Sequence, residues 1–202
     1  AQTLDIDGSF VLNGGTFTAP STTMTIAGSF TKTGSPIFTH NSGNILFDGT
    51  TSANSSIDAP GVTFNSVSFN RTINAINTTR TLTIAAGTVV PLLDSTLNNT
   101  ASGGRYDLVN NGTITLNGVN RTLNIDGTFT NNEIVNGNIT TLTMNGDLVN
   151  NDTITLASAT TLDFNGFGSG SGSYTHGAAS TLTTAANPTL NIAGNLTINN
   201  AA

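Results

Sequence analysis

The sequence predicts an all-β chain wound as a parallel β-solenoid (a β-helix) of about ten coils, roughly 20 residues each and roughly triangular in section. Three observations carry this. A short phrase recurs: TLDIDG at Thr3–Gly8, TMTIAG at Thr23–Gly28, TLTIAA at Thr81–Ala86, TLNIDG at Thr122–Gly127, TLTMNG at Thr141–Gly146, TLDFNG at Thr161–Gly166 and TLNIAG at Thr189–Gly194. Neighbouring copies are often 19 or 20 residues apart. Within each copy the apolar residues alternate with period two, which is the pattern of a strand and not of a helix.

The repeat phrase supplies the first strand of each coil. In TLNID the alternation sends Leu123 and Ile125 inward and leaves Thr122, Asn124 and Asp126 outside. The equivalent inward pairs are Leu4 and Ile6, Met24 and Ile26, Leu82 and Ile84, Leu142 and Met144, Leu162 and Phe164, and Leu190 and Ile192. Inward residues of the second strand are Phe10, Phe30, Phe129, Leu148 and Leu196.

The second and third strands are read from the best internal match, DLVNNGTITL at Asp107–Leu116 against DLVNNDTITL at Asp147–Leu156, 40 residues on. TFTNNE at Thr128–Glu133 fits the same frame between them. Each coil thus holds a strand such as LVNN, a turn, a strand such as TITL, a corner and then the TLxIxG strand. Stacked coils about 4.8 Å apart give a rod on the order of 45–50 Å long.

The chain reads as a single domain, residues 1–202. Its frame is hard to follow through 50–66 and 89–105, which contain Pro60, Pro91 and Gly103-Gly104, and these are expected as irregular loops. A third loop is expected at 166–177, where GFGSGSG projects as a flexible outcrop.

Composition narrows the function. Only 8% of the residues are charged and the net charge is −6, with one Lys and four Arg. A nucleic-acid partner needs a basic face, which this chain lacks. No apolar run reaches the length of a membrane span. Cys is absent, so disulfides say nothing about redox compartment. The start at Ala1-Gln2 suits a mature terminus and suits an excised fragment equally.

The TLxIxG phrases, the NN corners and the pieces IFTHNSGNILFDG (Ile37–Gly49) and SYTHG (Ser173–Gly177) resemble the repeats of large bacterial surface proteins and adhesins, filamentous-haemagglutinin-like β-helices in the broad sense. The resemblance implies an extracellular, cell-surface location and a structural or adhesive role. It supplies no catalytic residues.

Candidate chemistry is sparse. His40 and His176, in FTH and YTH, are the only histidines. They are expected in similar places of distant coils, as repeated corner residues that do not meet. Asp5 with Asp7, Asn124 with Asp126, and Asp163 with Asn165 could line up oxygen ligands for Ca²⁺. Asp or Asn before Gly is also the ordinary turn signal, and no cofactor or metal is expected.

A carbohydrate-active β-helix enzyme would need two carboxylates facing one cleft, or a base with clustered Asp and Lys or Arg. Lys32 stands alone, the arginines are scattered, and the sole Glu, Glu133, lies in an NNE turn. No enzyme is expected. Threonine pairs of the form T-x-T recur at Thr23/Thr25, Thr81/Thr83, Thr113/Thr115, Thr141/Thr143, Thr153/Thr155 and Thr181/Thr183. Flat T-x-T ranks are an ice-binding arrangement. Read as a single rank, they are interrupted by Asp5, Asn124, Asp163 and Asn191, so β-propensity on an outer face is the simpler account.

The ends point to assembly. The chain opens on a full repeat phrase and closes on the start of another coil, with no cap recognisable at either end. The expected interface is Thr3, Leu4, Ile6 and Phe10 at one end, and Leu190, Ile192, Leu196 and Ile198 at the other. The leading expectation is a non-enzymatic subunit of a surface filament or stalk, a head-to-tail homopolymer. The alternative is an adhesin segment whose loops bind a glycan or receptor.

Overall fold

A computed structural model describes residues 3–49 and 53–199. The chain is an all-β parallel solenoid of about nine turns of about 22 residues, without helices. Among the described residues no helix is long and apolar enough to cross a membrane.

Each turn lays one strand on each of three faces. The first face stacks β1 (Leu4–Ile6), β4 (Thr23–Ile26), β7 (Asn44–Gly49), β9 (Ser66–Ile73), β12 (Ser95–Asn99), the first halves of β15 (Asn120–Asn131) and β17 (Thr141–Asn150), β19 (Thr161–Asn165) and β22 (Thr189–Ile192). The second face stacks β2 (Phe10–Leu12), β5 (Phe30–Lys32), β8 (Ser55–Asp58), β10 (Thr79–Ile84), β13 (Arg105–Asn110), the second halves of β15 and β17, β20 (Tyr174–His176) and β23 (Leu196–Ile198). The third holds β3 (Thr16–Thr18) and β6 (Ile37–Thr39), then β11 (Val89–Pro91), β14 (Thr113–Asn117), β16 (Ile134–Asn138), β18 (Thr153–Leu156) and β21 (Thr181–Thr184). Thr63 joins this face by a single parallel bridge to Val89.

The turns are unequal, and this accounts for nine where the repeat spacing suggested ten. Thr25 hydrogen-bonds to Asp5, 20 residues back, and Asn145 to Asn124, 21 back. Phe69 is bonded to Ser95 across 26 residues, and Asn191 to Asp163 across 28. The long turns take up their extra residues at corners.

The segments 50–66 and 89–105 accordingly contain β8, β11 and β12, so much of what reads as loop is strand. TLTIAA is also displaced from its expected place. Its strand, β10, lies on the second face and pairs with Arg105–Asn110, not with the other repeat phrases.

The core is one column of inward side chains. Met24, Ile26, Leu82, Ile84, Leu123, Ile125, Leu142, Met144, Leu162 and Phe164 are all buried, as alternation requires. Near the first turns, Phe10 packs on Phe17 at 4.8 Å and on Phe30 at 5.0 Å, and Phe30 and Phe38 both meet Phe64. These aromatic rings fill the core of the first three turns.

Candidate assembly surfaces and polar clusters

The end strands carry the expected interface. β1, β2 and β3 each pair on one side only, with β4, β5 and β6. At the other end, β22 pairs only with β19 and β23 only with β20. Among the described residues both outer turns therefore present a free backbone edge, a template for another parallel strand.

The apolar side chains on these edges lack the cover that interior turns supply. Leu190 is 40% exposed, Leu196 51% and Ile198 63%, whereas Leu162, one turn inside, is buried. Ile192, Leu4, Ile6 and Phe10 are half-buried, and Thr3 is exposed. Beside the first turn lies an open depression of about 800 Å³ lined by Leu4, Phe17, Pro20 and Asn41, among others.

Polar residues inside the rod are held by three devices. The first is an asparagine ladder at the corner between the second and third faces. Asn110 donates to Asn131 at 2.8 Å and Asn131 to Asn150 at 2.9 Å, and all three are fully buried. Their amides also reach corner carbonyls: Asn110 to Ile134 at 3.0 Å, Asn131 to Glu133 at 3.0 Å, and Asn150 to Thr181 at 3.0 Å. The second Asn of each NN pair forms a parallel outer ladder, Asn151 to Asn132 to Asn111. In LVNN, alternation puts the first Asn on the same side as Leu, so its burial follows from the sequence pattern.

The second device is Arg71, which is fully buried with no carboxylate bonded to its guanidinium among the described residues. It donates to Ser55 Oγ, to Tyr106 Oη at 3.0 Å, and to the carbonyls of Ala27 and Gly28, bridging turns. Its Nε has no partner among the described residues.

The third is the glycine-rich segment 166–172, which folds back onto the rod. Buried Asp126 accepts from the backbone N–H of Ser169 and, through Oδ2, from that of Asn99 at 2.8 Å. Asp147 Oδ1 accepts from Ser171 N at 2.8 Å and Ser173 N at 3.0 Å. Sequence reasoning did not mark Arg71 and expected Asp126 outside, whereas Asp126 is buried under the folded-back segment, because nothing local marks a charged residue whose partners lie several turns away.

The candidate catalytic and metal-ligating residues are dispersed. His40 follows β6 at the corner after the third face, and its Nδ1 accepts from Ser42 N at 3.0 Å. His176 sits on the second face in register with Asn150, with its Nδ1 2.8 Å from Tyr174 Oη. The two histidines thus occupy different corners, six turns apart, and not the similar places expected. Burial raises the Tyr174 phenol above its ordinary value, a shift opposed by a hydrogen bond from Asn150.

The turn carboxylates are largely engaged. Asp5 accepts from Thr25 Oγ1, and Asp163 from Asn191 Nδ2 at 2.6 Å. Asp48 is pushed above the ordinary carboxylate value, first by burial and then by the nearby Asp5 and Asp7, with Arg71 opposing. Among the described residues no three His, Asp or Glu side chains converge in a way that could ligate a metal. The chain matches no protein-family model, no curated protein and no solved structure.

Proposed function

We propose that this chain is a non-enzymatic structural protein of the cell surface, a rod whose copies join end to end into a filament or stalk. The observation that supports this is a matched spacing at the two ends. Leu4, Ile6, Phe10 and Leu12 face the core of the first turn, and Leu190, Ile192, Leu196 and Ile198 follow at the same intervals in the last described turn. A copy set on β22 and β23 with its own β1 and β2 would stack Leu4 on Leu190, Ile6 on Ile192, Phe10 on Leu196 and Leu12 on Ile198. Asp5 would meet Asn191 and repeat the Asp163–Asn191 contact already present one turn inside.

The driving force is burial of the exposed leucine and isoleucine side chains together with completion of two strand edges. A head-to-tail contact of this kind is heterologous and propagates. The surface location rests on the resemblance of the repeat phrases to those of bacterial surface proteins.

Sedimentation velocity over a range of concentrations tests the assembly. The unmodified chain should grow into polymers, and Leu196→Lys should remain a single rod, because its charge would be buried in the joint. Ile6→Lys should also fail to polymerise alone, but its intact far end should cap growing wild-type filaments. A wild-type chain that sediments as one small species at every concentration refutes the proposal.

A further inference from the structure

The T-x-T phrases, taken from the sequence as one interrupted rank, separate in the structure onto three faces. Thr23/Thr25 and Thr141/Thr143 belong to the first face, where Asp5, Asp48 and Asp163 also lie. Thr81/Thr83 belong to the second. Thr113/Thr115, Thr153/Thr155 and Thr181/Thr183 belong to the third, and no Asp, Glu, Lys, Arg or His lies on any strand of that face. Glu133 and Asp152 stand at its rim corner. The charges that argued against an ice-binding rank are therefore on other surfaces.

We propose that the third face binds the surface of ice. Two in-register ranks run along it. One passes through Thr63, Val89, Thr113, Ile134, Thr153 and Thr181, and every residue in it is β-branched. Thr16 and Ile37 pair in the same way nearer the first turn. Ile37, Val89 and Ile134, three of the large apolar side chains left exposed on this protein, all lie on this line. The second rank passes through Pro91, Thr115, Asn136, Thr155 and Thr183.

Three properties suit this array to an ordered water lattice. β-Branched side chains on a strand have restricted χ1, so the methyl and hydroxyl positions are fixed before contact. The pairings from β11 to β21 are parallel and unbroken, so the ranks repeat about every 4.8 Å along the rod and about 6.6 Å along each strand. The spacing along the rod lies near the short oxygen repeat of hexagonal ice. Finally, the hydroxyls of Thr115, Thr155, Thr181 and Thr183 make no hydrogen bond among the described residues, and Thr181 and Thr183 are exposed. On the first face, by contrast, the outward groups are tied to one another, as in Thr25–Asp5, Thr96–Asn124–Asn145–Asn165 and Asp163–Asn191.

Other occupants fit the face less well. Protein hot spots favour Trp, Tyr and Arg, and the third-face strands contain none. The chain has no Trp, and both tyrosines are buried, so no aromatic platform is offered to a sugar ring.

The test is ice-affinity partitioning with thermal hysteresis on the full chain. Wild type should enter slowly grown ice and hold a gap between melting and freezing points. Thr155→Lys should lose both while keeping its far-UV circular dichroism. Thr143→Lys, on the first face, should keep both. Thr115→Lys is the second variant should Thr155→Lys fold poorly. Exclusion of the wild type from ice overturns the proposal, and so does equal loss in Thr143→Lys and Thr155→Lys. Conversion of a dimer to a monomer by Thr155→Lys also overturns it, because a second copy of the chain would then be the occupant.

Discussion

Removing the Asn131 side chain should destabilise the rod far more than removing its neighbour Asn132. Asn131 is fully buried and receives the Asn110 amide at 2.8 Å. Its own amide donates to Asn150 Oδ1 at 2.9 Å, Glu133 O at 3.0 Å and Thr153 O at 3.2 Å. In Asn131→Ala, Asn110 keeps its bond to the Ile134 carbonyl, and the Glu133 carbonyl keeps the Thr153 N–H. Asn150 Oδ1 loses its donor inside a dry corner. Each lost bond is worth about 0.5–1.5 kcal/mol net, and a buried acceptor left without a partner costs about 1–3 kcal/mol. Together these give roughly 3–4 kcal/mol for Asn131→Ala. Asn132 makes the same kind of side-chain contacts, at 2.9 Å to Asn111 and Asn151, but in solvent, and Asn132→Ala should cost no more than about 0.5 kcal/mol. Urea unfolding followed by circular dichroism gives both midpoints under one protocol. Equal midpoints for the two variants would refute the view that the inner ladder, and not the NN corner in general, holds the turns together.

Three further outcomes follow from the geometry. Arg71→Ala should cost roughly 3–5 kcal/mol in the same urea assay, because it opens a cavity and strips a donor from two carbonyls, Ser55 and Tyr106. Gly146 has φ 122°, and a Cβ there would strike the Ile125 carbonyl, so Gly146→Ala should cost at least about 2 kcal/mol while Gly14→Ala, in open space, is nearly neutral. Asp48 has its carboxyl pKa raised by burial and by Asp5, so the folded state favours the protonated form; its stabilising contribution is complete below the ordinary value of 3.8 and is lost as pH rises through the folded value. Asp48→Asn should therefore raise the melting temperature slightly at neutral pH and have no such effect in acid.

The coiled fold was legible because its cause is local. Leu142 and Met144 alternate with Thr141 and Thr143, and burial follows that alternation through turn after turn. The end residues Leu190, Leu196 and Ile198 share the pattern but lie exposed, because stacking needs a neighbour and alternation cannot supply one. Turn length was not legible. The 28-residue step from Asp163 to Asn191 includes a loop whose folding back depends on Asp126 and Asp147, both from earlier turns. The same limit merged the T-x-T phrases, since a strand motif does not state which face it occupies. Thr81–Ile84 has the repeat phrase's composition and still sits on the second face, in register with Asp107–Asn110.

Cryo-electron microscopy of the purified chain at increasing concentration tests end-to-end assembly most directly. Nine turns per copy, joined without a break in strand pairing, predict thin filaments with an axial repeat of about 43 Å and an uninterrupted 4.8 Å layer spacing across each joint. Monodisperse rods about 43 Å long at every concentration, or filaments whose layer spacing breaks at each joint, would contradict it.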